Sequence, residues 1–229
     1  MGRVSYRMSS EPSRASLYRA PEASLDPVEA HTVSGYRPLS RAAWHVRLWL
    51  YVYAALSLVS LALQLSGASL DEDSLSAADL GLVFNTLGSF LVLLVCCVLF
   101  GGLLYGANRN ARAFDIQRLE FSPASMVWWF FVPFANLVMP YRAVREVFEA
   151  STPVDDGPPV PAFFPAWWAA WIVWNVLTNT MAETLFAGAN TIGAAAAVAS
   201  ALLAERLVRD LANRQARTAD QRAALLSRP

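Results

Sequence analysis

Apolar residues along this chain gather into long runs separated by short polar intervals. The first run is WHVRLWLYVYAALSLVSLALQL at 44–65, with Trp44, Trp49, Tyr51 and Tyr53 crowded at its start. The second, LVFNTLGSFLVLLVCCVLFGGLLYGA at 82–107, has no charge at all. Two more follow, FFPAWWAAWIVWNVLTNTMA at 163–182 and LFAGANTIGAAAAVASALLA at 185–204. A helix needs roughly 20 apolar residues to cross a bilayer core about 30 Å thick, so each run is predicted to span. Aromatic residues at a run's edge suit the membrane interface, where Arg47 is expected to snorkel.

The segment between the two pairs is different. WWFFVPFANLVMPYRAVREVFEA at 128–150 is apolar at first and charged later, and Pro133, Asn136 and Pro140 interrupt it. Its uncharged apolar core, 126–139, is short for a span. Each proline removes a backbone donor, which is tolerated at membrane depth only when the chain is packed in protein or beside water. Ser122-Pro123 predicts a cap and first turn of a short helix, and Pro140 the first turn of the next. In that next helix Tyr141, Val144, Val147 and Phe148 share one face, with Arg142, Arg145, Glu146 and Glu149 on the other. This pattern predicts an amphipathic helix over 141–150 on the inner membrane surface.

Charge sets the topology. The interval 66–81 holds four acids and no Arg, whereas 108–122 holds Arg109, Arg112 and Arg118 and the chain beyond 204 holds six Arg. Positive residues in short flanks stay in the cytoplasm. If 128–139 crossed, Arg142, Arg145 and the six tail arginines would fall outside; if it dips and returns, none does. The pattern therefore predicts an all-α membrane protein: four transmembrane helices, a re-entrant segment over 123–140, and both termini cytoplasmic. Residues 1–40 read as a disordered cytoplasmic tail rich in Ser, Pro, Arg and Glu, 41–211 as the multi-span domain, and 212–229 as a basic tail. The N-terminal stretch lacks the apolar core of a signal peptide, and Tyr6 stands where a myristoylation signal needs Ser or Thr.

Composition agrees. Of 229 residues 55% are hydrophobic and only 16% charged, against about a quarter in a soluble domain. Eighteen positive and eighteen negative side chains cancel, so there is no electrostatic case for nucleic acid. Every positive residue is Arg, which together with abundant Ala reads as a GC-rich, bacterial genome. Cys96 and Cys97 are adjacent inside an apolar run and read as small buried side chains.

The strings SPASMVWWFFVPFANLVMPYRAVREVFEAS at 122–151, WIVWN at 171–175 and ANRNARAF at 107–114 resemble the domain-of-unknown-function 4328 family of bacterial membrane proteins. The likeness runs over roughly Arg41 to Leu211. It implies a multi-span membrane domain, common in actinobacteria, and no activity.

Candidate chemistry is sparse. His31 and His45 stand alone, no nucleophile–base or phosphate-loop motif is present, and no acid lies deep in an apolar run, so neither an enzyme nor a proton pump is expected. No cofactor is implied. Asn136 at the break, with Asn175 and Asn179 four apart on one helical face, reads either as a polar ligand lining or as interhelical hydrogen bonding. Asn85 and Asn190 belong to the same question. Arg109, Arg112, Arg142 and Arg145 read either as a face for anionic lipid headgroups or an acidic protein partner, or as topological charge. Arg145–Glu149 is also a four-apart helix pair. Trp167, Trp171 and Trp174 at helical spacing read as interface packing or as a stack for a ligand. Gly102-x-x-x-Gly106 and the Ala189, Gly193, Ala197, Ala201 series are small-residue faces through which helices or copies approach closely. The function expected is a non-enzymatic interaction or scaffold protein of the cell membrane; the alternative is a small transporter or channel with its site at the Pro133–Asn136–Pro140 break. With Cys96 and Cys97 replaced, a cysteine at Ser227 is expected to resist an impermeant thiol reagent added to intact cells and to react after permeabilisation. Labelling from outside would overturn the four-crossing topology.

Overall fold

The computed structural model describes residues 33–66, 77–114, 119–153, 157–178 and 188–227. The order is α1 (Ser40–Leu65), α2 (Ala77–Ala113), α3 (Pro123–Trp128), a 3-10 turn (Ala135–Leu137), α4 (Met139–Ser151), α5 (Phe164–Leu177) and α6 (Ala189–Leu226). Among the described residues there is no strand. Three helices, α1, α2 and α6, are long and apolar enough to cross a membrane. The run predicted over 163–182 contributes the 14-residue α5; its last residues, and the first of the run at 185–204, lie outside the described residues.

α1 and α2 are hydrophobic all round, and their outward faces carry large apolar side chains, among them Leu58, Phe84, Phe90, Leu91 and Val98. In water such a surface would be a liability; facing lipid it costs nothing. α6 occupies the interior and packs along both α1 and α5. Its small residues allow this. A Cβ on Gly193 would meet Thr178 Cγ2 at 2.8 Å, so α5 and α6 approach too closely there for any other residue. The other expected ridge is different: Gly102 faces open space, while Gly101 packs against Val127 and Gly106 against Leu39.

Hydrogen bonds fix which helix ends lie together. Thr191 near the start of α6 donates to Gln64 near the end of α1. At the opposite end Asn110 of α2 accepts from the Arg37 amide, donates to the Arg37 carbonyl, and donates to Gln215 of α6. The start of α1, the end of α2 and the later half of α6 therefore share one end of the bundle.

The interrupted segment leaves from and returns to that same end. Ser122 Oγ caps α3 by accepting from the Ser125 amide, and Pro123 sits in the first turn. The chain then reverses at Phe134, whose φ of 61° and ψ of −42°, with the Ala135 amide donating to the Pro133 carbonyl at 2.7 Å, make a strained γ-turn. Pro140 restarts the helix as α4. Glu146 of α4 accepts from the amides of Glu120 and Phe121, closing the excursion at its base. One expectation is corrected: α4 does not lay its apolar face on lipid. Ala143, Val144, Val147 and Phe148 are fully buried in the protein core, because α2, α6 and Phe164 cover them.

A second correction concerns the chain after 211. It is no free tail: α6 runs unbroken to Leu226, with Arg214, Gln215, Thr218 and Ala219 buried. Gln215 Nε2 donates to the Ala107 carbonyl at 2.8 Å and to Ser151 Oγ at 2.9 Å, while Oε1 accepts from Asn110 at 2.8 Å. Thr218 donates to the Ser151 carbonyl and so satisfies the end of α4. Arg214 pairs with Asp210, donates to Thr152 and to the Pro158 carbonyl, and lies over the Phe148 ring. Removing the Gln215 amide deprives Ser151 Oγ and one Asn110 N–H of a partner at a buried position, at about 1–3 kcal/mol. Gln215→Ala is expected to lower the unfolding temperature in detergent by several degrees. Arg145→Ala, which breaks only an exposed pair, is expected to leave it unchanged.

Candidate functional site

An aromatic cavity of about 250 Å³ lies within the bundle. Leu50 and Tyr53 of α1, Cys96 and Phe100 of α2, Val127 of α3, Phe130 and Phe131 beyond it, Trp167, Trp171 and Trp174 of α5, and Ala197 and Ala201 of α6 form its walls. The Trp spacing explains the wall on α5: positions 167, 171 and 174 recur on one face of a helix. Neighbouring Trp168 stacks on Trp171 at 4.6 Å and turns its indole N–H to the Leu137 carbonyl. Phe130 bridges the two sides, 6.1 Å from Trp171 and 6.3 Å from Phe100. Across from the rings α6 offers only methyl groups and Ser200, so the void persists.

The predicted polar lining is only partly assembled. Asn175 borders the cavity, but its amide donates to the Trp171 carbonyl one turn back, a local satisfaction. Pro133 is exposed, Asn136 half-buried and Pro140 buried, and none of the three lines the cavity; the wall comes from the stretch before the break. Asn85 donates to Ser60 and to the Leu56 carbonyl, joining α1 to α2. Asn179 lies outside the described residues.

The predicted basic face is brought to one end but is largely committed. Arg112 donates to Asn108 and to the Phe121 carbonyl, which Asn108 also holds. Arg142 pairs with Glu120 at 3.0 Å and covers the Phe121 ring. Arg145 pairs with Glu149, and that hydrogen bond pushes its pKa up. Arg109 is exposed, with no ion pair among the described residues.

The family described as "Domain of unknown function (DUF4328)" matches residues 66–213, which carry α2 through α5 and α6 as far as Asn213. The chain belongs to the DUF4328 family. No curated protein and no solved structure matches it. The match begins at Ser66, so α1, which the resemblance was expected to include, precedes the DUF4328 region.

One contact between α1 and that region has no sequence forerunner. Arg47 turns inward instead of reaching for the surface: its Nε donates to Glu205 Oε1 at 2.6 Å, and Arg209 approaches the other carboxylate oxygen at 3.7 Å. Glu205 is 3% exposed. Beside this pair Tyr36, Trp44, Arg209, Asn213 and Asp220 border a second cleft of about 380 Å³, where burial, and next the nearby Asp220 carboxylate, push the Tyr36 pKa up. The signal available was an Arg three residues after an interfacial Trp and a Glu ending an Ala-rich run. Neither names the other across 158 positions.

Breaking a buried pair from one side leaves an unpaired charge, which costs about 3–5 kcal/mol when fully desolvated and less where one partner, as here, is a third exposed. Arg47→Ala is expected to destabilise the DUF4328 protein more than the double variant Arg47→Ala/Glu205→Ala. Thermal unfolding in a mild detergent reads the difference; a double variant no more stable than the single would refute the coupling.

Proposed function

We propose that this is a multi-pass cell-membrane protein with four crossings, α1, α2, α5 and α6, an inner-leaflet re-entrant segment at 123–140, and both termini cytoplasmic. Its role is interaction, not catalysis: the cytoplasmic end of the bundle acts as a rigid docking platform for another protein. The observation that carries this reading is the buried hydrogen-bond knot around Gln215, which ties α2, α4, α6 and the chain before α1 together beyond the hydrocarbon. About 20 residues of α6 suffice to cross the bilayer, so roughly half of its 38 project past it. A projecting helix that merely carried a tail would not need buried Arg214, Gln215 and Thr218. The exposed apolar tip around Phe131, Phe134 and Val138 fits a loop in lipid, consistent with the re-entrant assignment.

The second reading is a small transporter or channel at the break. It is weaker because Pro133 and Phe134 turn outward, away from the cavity walls. A photoreactive residue placed at Asn213 or Asp220, both exposed on α6, tests the platform in the native host. The expected result is one discrete protein adduct from both positions. It weakens in Gln215→Ala and persists in Asn136→Leu. A diffuse smear from both positions would sink the platform, and loss of a solute flux in Asn136→Leu would favour transport.

A further inference from the structure

We propose that the aromatic cavity seats one acyl chain of a bilayer phospholipid, which enters beside Cys97 and Phe131 and lies between the α5 indoles and the methyl face of α6. This goes beyond the platform reading and does not depend on it.

Depth is the first argument. Tyr53 in the cavity wall follows interfacial Trp44 by nine residues, about 14 Å of helix rise, and half of the hydrocarbon core is about 15 Å. The cavity therefore lies at the level of one leaflet's acyl chains, on the side of the bundle where Arg37, Asn110 and Gln215 meet.

Chemistry is the second. The walls are rings, aliphatic side chains, methyl groups and two thiols, with Ser200, Asn175 and Tyr53 as the polar exceptions. The Asn175 amide is already donated to Trp171. A water needs two to four polar partners and would find few; a hydrocarbon chain needs none. Flat indoles opposite small side chains leave a slot suited to a flexible chain.

The mouth is the third. Cys97 and Phe131 are exposed at its rim, and Leu94, Val98 and Trp128 around it are exposed large apolar side chains. The medium that tolerates them is hydrocarbon, and in it phospholipid tails are the solvent. The void cannot close on itself, because Ala197, Ala201 and Ala204 present only methyl groups and the α6 backbone is held by α1 and α5.

The test uses the full chain in vesicles of phosphatidylcholine and phosphatidylglycerol containing a minor share of phosphatidylcholine with a mid-chain diazirine. After irradiation, adducts are mapped by peptide mass spectrometry. The expected result is adducts on the otherwise buried Ser200–Ala201 stretch or on Trp171, alongside adducts on outward-facing Val98. Cys97→Trp obstructs the mouth from a lipid-exposed position, and Ala201→Phe fills the interior. Each is expected to reduce the cavity adducts at least fivefold while leaving those at Val98 unchanged. Should Ala201→Phe not fold, Cys97→Trp decides alone. Adducts confined to outward-facing residues, or cavity adducts unchanged in folded Cys97→Trp, overturn the proposal.

Discussion

A backbone amide in hydrocarbon has no water to bond, and the architecture follows from how this chain meets that demand. In α1, α2 and the first half of α6 the helix itself satisfies every interior amide. Between Trp129 and Met139 it cannot, because Pro133 supplies no donor and the chain must turn back. There the bonds are improvised: Asn136 donates to the Val132 carbonyl, Ala135 to Pro133, Val138 to Ala135, and the Trp168 indole takes up the Leu137 carbonyl. The strained φ at Phe134 is what one non-glycine residue bears so that the reversal fits in so few residues. α5 is then required where it stands, since it alone brings Trp168 to that carbonyl and Trp171 to Phe130.

From this follows the cavity. The segment before the turn inserts Phe130 between α2 and α5 but leaves the space down to α6 unfilled. Small residues draw α6 against α5 at Gly193 and leave only methyl groups facing the rings lower down. The same small-residue face thus does two things: close approach at one level and an unfilled slot at another. Close packing is the norm in protein interiors, so a persistent void opposite three indoles marks a place where packing gives way to another requirement.

Much of the fold was legible because membrane spans declare themselves by length and apolar continuity. The runs at 44–65 and 82–107 lie inside α1 and α2, and Ser122-Pro123 caps α3 as such a pair should. What sequence could not supply was partnership. Arg214 and Gln215 look like solvent-facing tail residues, because their partners outside α6 lie 56 to 108 positions away in a linker, in α4 and in α2. The signal was present in a weaker form: 207, 208, 211, 214, 215 and 218 recur at helical spacing, and reading only apolar letters stopped the stripe at Leu211. The basic face shows the same gap between letters and partners. Counting Arg112 and Arg142 as free charge ignored the Phe121 carbonyl and Glu120, which only the folded loop brings near. The Asn positions were read either as a lining or as interhelical hydrogen bonding; Asn85 does join α1 to α2, whereas Asn175 settles one turn back on its own helix.

The two polar clusters divide the work between them. Around Gln215 the side chains of Asn110, Ser151 and Thr218 are neutral and buried, so the cluster fixes one geometry. Arg47–Glu205 sits within one turn of Trp44, with Glu205 enclosed and Arg47 a third exposed. Its strength depends on how much water reaches Arg47, and it ties α1, outside the family match, to α6 within it. α1 also walls the cavity through Leu50 and Tyr53. Packing along its length against α2 and α6 fixes that wall, so the shape of the slot is set by the same contacts that build the bundle.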